Sequence, residues 1–234
     1  MFSKPHFNFL AAGAALAGLS LFSAGNVWAN LITNGDFSAN AASYTTWPGY
    51  STAGYQTSPY GPTGWTISDV HVGVNGPGTG FSAEPFAPTS TAGVNDFAFI
   101  ENQNVNLSQI VGTTAGQAYT LTYDAAARAG DAAAGLTDVL EVVLTDTTTS
   151  TQIIADTPAI SEAGFNLFSL DFTAPSASTD VEFVNKTAYV SGISGTVDVS
   201  NVSLVAVPEP ATLGLCAIGG VGLLLIGRKR RWQA

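Results

Sequence analysis

Alternating apolar and polar residues through the middle of this chain predict strands rather than helices. Between Gln117 and Ala125, Tyr119, Leu121, Tyr123 and Ala125 fall on one face, and Thr120, Thr122 and Asp124 on the other. Asp138 to Thr145, Gln152 to Ala155 and Asn166 to Thr173 read the same way, the last with Phe168, Leu170 and Phe172 opposed to Leu167 and Ser169. Val181 and Phe183 mark a further strand. Thr196 to Val205 closes the series, with Val197 and Val199 in one phase and Val202 and Leu204 in the other, which predicts a bulge near Ser200 and Asn201. Further strands are expected at Leu31 to Thr33, Trp65 to Val74, Asp96 to Glu101 and Val105 to Val111. Turn signals at Asn34-Gly35, Asn75-Gly76-Pro77-Gly78, Ala115-Gly116 and Ala163-Gly164 separate these runs. Many short strands at this spacing predict an all-β chain folded as a single β-sandwich of the jelly-roll kind.

Two stretches break the alternation. Ala39 to Gly64 is rich in Ser, Thr, Gly, Pro and aromatic residues and reads as a long loop. Ala126 to Gly135 fits a short helix or an irregular loop equally.

The ends of the 234-residue chain follow a different pattern. Lys4, the apolar run from Phe7 to Phe22 and the small-residue site Val27-Trp28-Ala29 predict a signal helix over residues 1–29, with Asn30 as the first mature residue. Near the C-terminus, Ala211 to Gly227 is 17 residues without a charge, at the short end of a transmembrane helix. Arg228, Lys229, Arg230 and Arg231 follow as a basic stop that stays on the cytoplasmic side. Directly before the span, Pro208 and Pro210 flank Glu209 and stiffen the chain into an extended, negatively marked handle. The organisation expected is therefore signal peptide 1–29, β-sandwich 30–206 and tail 207–234.

Charge and cysteine content narrow the function. Of the seven Lys and Arg, only Arg128 and Lys186 lie between Asn30 and Val207, against 16 of the 17 Asp and Glu, a net charge of −14. Such a surface repels nucleic acid and anionic lipid. The one cysteine, Cys216, lies in the apolar span, which excludes a disulfide or thiolate metal site in the sandwich. His71 is the one histidine between the two tails and makes no zinc site alone. No nucleophile-elbow, zinc-protease or phosphate-loop pattern occurs, and the expectation is a protein that is not an enzyme. Three Asn-x-Ser/Thr triplets, at Asn106, Asn185 and Asn201, are of a kind that composition alone produces in a chain so rich in Ser and Thr.

Val207-Pro208-Glu209-Pro210, the Gly/Leu-rich span and the terminal basic block together resemble the PEP-CTERM sorting signal. That resemblance implies recognition by an exosortase, with the secretion translocon and the cell membrane as earlier partners. It also implies an inner-membrane intermediate, then the surface or extracellular matrix of a Gram-negative bacterium.

The sandwich resembles galactose-binding-like jelly rolls, the fold of many carbohydrate-binding modules. The residues that carry this are Asn30 to Phe37, Gly64-Trp65, Leu107 to Val111 with Ala115 to Tyr119, and Val199 to Leu204. Many such modules hold a structural calcium between the first and last strands. Ser38 and Ser200 stand where acidic residues are common in that family, and Asp36 and Asp198 are the candidate calcium ligands in their place. Aromatic faces that pack on sugar rings are expected in the long loop, at Trp47, Tyr50, Tyr55 and Tyr60, with staples of that loop onto the sandwich as the other reading. The function expected is a non-catalytic surface or exopolysaccharide-matrix protein that binds carbohydrate. The alternatives are a structural or adhesive coat protein without a ligand, and a secreted glycan-active enzyme.

Overall fold

The computed structural model describes residues 29–39, 41–44, 61–76 and 87–208. Ten strands form two five-stranded antiparallel sheets. In chain order they are β1 (Thr66–Ile67), β2 (Val72–Asn75), β3 (Phe97–Glu101), β4 (Asn106–Gly112), β5 (Ala118–Ala127), β6 (Leu140–Asp146), β7 (Thr151–Asp156), β8 (Asn166–Thr173), β9 (Ser178–Asn185) and β10 (Thr196–Ala206). The first sheet runs β1-β4-β9-β6-β7 and the second β2-β3-β10-β5-β8. The all-β sandwich expected from the alternation is present. Among the described residues, no helix is long and apolar enough to cross a membrane. The expected signal helix and transmembrane span fall outside those residues.

The alternation decides which side chains meet between the sheets. Leu107, Val111, Leu140, Val142, Leu144, Val181 and Phe183 of the first sheet face Tyr119, Leu121, Tyr123, Val197, Val199 and Leu204 of the second, all buried. Aromatic rings tie this core together. Trp65 packs 5.4 Å from Phe37 and 6.1 Å from Phe183, and Tyr123 lies edge-on to Phe183 at 5.2 Å. Such pairs add about 0.5–1.5 kcal/mol each beyond their buried area. The Trp65 indole also donates to the Asn34 carbonyl, at 3.1 Å.

Two expected strands take other forms. Leu31 to Thr33 joins no ladder. It alternates partners instead: the Leu31 amide donates to Leu204 of β10, and the Thr33 amide to the Gln109 side chain of β4. The segment thus bridges the two sheets, and pairing with either one would forfeit the other. The run from Trp65 to Val74 is cut in two, β1 in the first sheet and β2 in the second. Residues 68–71 make the crossing, where the Asp69 carboxylate accepts the His71 amide. The stretch at 126–135 contains a one-turn 3-10 helix, Ala132–Ala134, ended by Gly135 at a φ of 85°.

Candidate functional site

The two outward faces differ in what covers them. On the second sheet, Asn75, Phe97, Phe99, Ala126, Asp198 and Ser200 alternate with core residues yet are fully buried. Loops lie over them: Ala87 and Val94 pack with Phe97 and Phe165 in a small second core. The loops are held by Ala129 donating to Ala87 and Thr89 donating to Glu162. Among the described residues, no loop covers the outward face of the first sheet in this way. Asn106, Ser108, Asp180, Glu182, Glu141, Val143 and Thr145 are half-buried there, and Ile110 is 66% exposed.

Register sets these side chains in rows across β4, β9 and β6. Ser108 stands opposite Glu182, which stands opposite Val143; Ile110 stands opposite Asp180, then Thr145. Directly opposed positions lie about 4.5–5.5 Å apart, and diagonal ones are within reach of longer side chains. The Asn106 amide uses that diagonal to donate to Glu182. Lys186, just past β9, puts its ammonium 3.2 Å from Glu141 and 3.4 Å from the Asn104 side-chain oxygen. The row therefore carries carboxylates, an amide and hydroxyls, with a cation at one end and an apolar side chain at the other.

Both central carboxylates sit low between their neighbours. Burial pushes the Glu182 carboxyl above its ordinary range, and the Asp180 charge adds to this. Burial raises Asp180 also, offset in part by a hydrogen bond from Ser108. Asp180 keeps its Oδ1 buried and without a hydrogen-bond partner. An acceptor in that position is costly to leave unmade, and its burial keeps donors from outside away from it, so a ligand meets the exposed parts of the row instead. A shallow groove of about 420 Å³ lies elsewhere, at the end of the sandwich where both tails leave, lined by Leu31, Gly112, Thr114, Gln117, Tyr119 and others. Among the described residues that line it there is no carboxylate, amine or imidazole.

The residues singled out in the sequence are distributed as follows. Trp47, Tyr50, Tyr55 and Tyr60 lie outside the described residues, as do Glu209, Pro210, Arg228, Lys229, Arg230 and Arg231. Pro208 is the last residue described and is exposed. Just before it, Val207 donates its amide to Ala118 and accepts a 2.7 Å hydrogen bond from the Gln117 side chain. Asp36 and Asp198 are not brought together. Asp36 is exposed, and its carboxylate accepts from the Ser38 amide and hydroxyl. The Val202 amide donates to Gly35, so Asp36 sits beside Val202, four positions along β10 from Asp198. At extended-strand rise that is about 13 Å. Asp198 itself is fully buried on the covered side of β10, and both its carboxylate oxygens lack a partner.

The company Asp198 keeps was not legible in the sequence. Asp131 and Asp138 are its electrostatic neighbours, with Arg128. Asp131 accepts the Thr196 amide at 3.0 Å and lies 3.6 Å from the Arg128 Nε. Burial, then the neighbouring Asp131, pushes the Asp138 carboxyl up to about 7. Among the described residues, no group of three or more His, Cys, Asp or Glu is arranged to hold a metal ion. The sheet-face row could have been found from sequence, since Asn106, Ser108 and Ile110, like Asp180 and Glu182, hold the outward phase of their strands.

No family model matches the chain, and no curated protein matches it. Solved structures do. A CBM4 structure is 14% identical over 75% of this chain and 99% of its own, with a TM-score of 0.45. A Family 16 Carbohydrate Binding Module-2 gives the same identity, coverage and score. The CBM22-1 xylan-binding domain from Paenibacillus barcinonensis Xyn10C is 8% identical over 63% of this chain and 88% of its own, with a TM-score of 0.42. At these scores the likeness assigns neither a family nor a ligand.

Proposed function

We propose that this chain is an exported, non-catalytic surface or matrix protein with a galactose-binding-like sandwich that holds carbohydrate on the outward face of β4, β9 and β6. The observation that carries this is the row of Asn106, Ser108, Asp180 and Glu182, set in register across β4 and β9 on a face that no loop among the described residues covers. Sugar hydroxyls are donors, and fixed carboxylates and amides select them by direction. The exposed Ile110 side chain offers an apolar contact for a ring's C–H face beside the row.

Binding of the purified full chain, in mild nonionic detergent, to a polysaccharide panel tests this. Glu182→Gln and Asp180→Asn should each weaken binding about tenfold or more, or about 1.4 kcal/mol. Saturable binding that survives both substitutions but is lost on Trp47→Ala would move the site to the long loop. Binding to nothing would leave the coat-protein reading, and release of reducing sugar would favour the glycan-active enzyme.

Sorting is a separate part of the proposal and rests on the order of the tail. The PEP-CTERM resemblance makes Pro208, Glu209 and Pro210 the recognition handle for an exosortase, with Arg228 to Arg231 as the membrane stop. The hydrogen bonds that Val207 makes to Ala118 and Gln117 are compatible with a handle that begins where the sandwich ends. Mass spectrometry of the protein exported by a host with an exosortase should find a C-terminus at or near Pro208–Pro210. A mature chain that still ends at Ala234 contradicts the sorting proposal and leaves the binding one standing.

A further inference from the structure

The four lateral edges of the sandwich are not equally protected. A free strand edge presents unpaired backbone donors and acceptors, and folded proteins blunt it with shortness, burial, irregularity or charge. On one side, β1 is only two residues long, and the four residues of β2 are all buried. On the other side, the six residues of β7 pair with β6 through a register shift at Leu144/Thr145. The fourth edge, β8, is neither short, buried nor irregular, and carries a single charge. It runs eight residues in unbroken register with β5, and among the described residues it pairs with no other strand.

The chemistry of β8 is that of a pairing strand. Asp171 is its one charged residue, and the Asp171 carboxylate is turned to the Thr120 hydroxyl at 2.6 Å. Leu167 is 71% exposed on the outward face. On the inward face Phe168 and Leu170 are only half-buried. Ile153, Ile154 and Ile160 are, like them, partly buried apolar residues packed against the core.

We propose that two copies of this chain join edge to edge through β8, antiparallel about a two-fold axis, to make one continuous ten-stranded sheet. Charge chooses the second copy's contact. At −14 between Asn30 and Val207, copies repel each other wherever carboxylates face, and the nearly neutral β8 edge is where they meet at least cost. Strand geometry suits a second copy as well. A strand paired antiparallel with itself is self-complementary, so each copy's free amides meet the other's free carbonyls. The pairing also continues the inward row, bringing the half-buried Phe168 and Leu170 of one copy against those of the other. A contact of one strand is small, and the association belongs in the micromolar class.

Sedimentation of the full chain in mild nonionic detergent over a dilution series reads this directly. The chain should pass from dimer to monomer on dilution. The double variant Leu167→Glu/Ser169→Glu lines up carboxylates at 167, 169 and 171 on one exposed row, and should weaken the dimer at least about tenfold without moving the melting temperature. In a Cys216→Ala background, Ser169→Cys should cross-link into dimers with a short thiol-reactive linker, and Asn106→Cys, on the other sheet, should not. A chain that stays monomeric at millimolar concentration overturns the proposal, and so does a dimer untouched by the double variant or cross-linking equal at both positions. Glycan binding on the β4–β9–β6 face is independent of all three outcomes.

Discussion

Asn185 ends β9 and is fully buried, and its side chain links the sheets through two donors and one acceptor. The amide donates to Ile100 of β3 and to Gly195, both at 2.8 Å, and its oxygen accepts the Thr187 amide at 2.8 Å. Ile100 belongs to the second sheet, so this one residue spans the sandwich. Asn185→Ala would leave two carbonyls and one amide buried without partners. The expected cost is roughly 3 to 4 kcal/mol, since each stranded group loses more than the hydrogen bond itself contributed. Asn106→Ala, at a half-buried surface position, should cost under about 1 kcal/mol. Urea denaturation midpoints for the two variants check this; a loss at Asn185 no greater than at Asn106 would show that the network does not hold the sheets. The burial also bears on the Asn-x-Ser/Thr triplets, because Asn185 has no surface at which to be modified, while Asn201 is exposed.

At the scale of elements, the sequence was readable wherever one face alone met the core. β5, β6 and β8 fall where period-two alternation puts them, and Tyr119, Leu121 and Tyr123 turn inward as their phase requires. The phase change in β10 is borne out as well: register shifts between Ser200 and Ser203, with Asn201 at a φ of 49°. Reading failed where an element answers to two neighbours. Residues 31–33 look like a strand because Leu31 and Ile32 are apolar, but their partners alternate between a backbone and the Gln109 side chain. The run from Trp65 to Val74 looks like one strand because nothing in its composition marks the point where it leaves one sheet for the other. The sheet-face row is half legible. Its residues hold the outward phase of β4 and β9, but only the pairing of those strands shows that Asn106 reaches Glu182.

The whole molecule puts a stretch of charge −14 around a core, yet of those carboxyls it buries Asp131 and Asp198 under the loops of the second sheet, with Asp138 half-buried beside them. Their proximity is a product of the fold, because Asp131 and Asp138 reach Asp198 only when the 128–138 segment lies over β10. Burial raises all three above the ordinary carboxylate value, Asp138 to about 7. For an acid whose folded value is raised, the folded chain holds more protons than the unfolded one between the two values. Stability therefore falls as pH rises through that window, here from about 4 to about 7 for Asp138. Asp146 acts in the opposite sense. Hydrogen bonds from Ser176 and Thr149 hold it down at about 2, so its contribution is complete above about 4 and is lost as pH falls toward 2. The two together place maximum stability in mildly acidic solution, below the neutral range where many proteins are most stable. Melting temperature measured from pH 3 to 8 should peak near pH 4 to 5 and decline toward 8. Asp138→Asn, which keeps the shape and removes the titrating group, should flatten the decline between pH 5 and 7 and leave the acid limb unchanged. A wild-type melting temperature that rises or stays level from pH 5 to 7 would mean that the cluster is ionised in the folded state and that Arg128, with water or a bound cation, carries its charge.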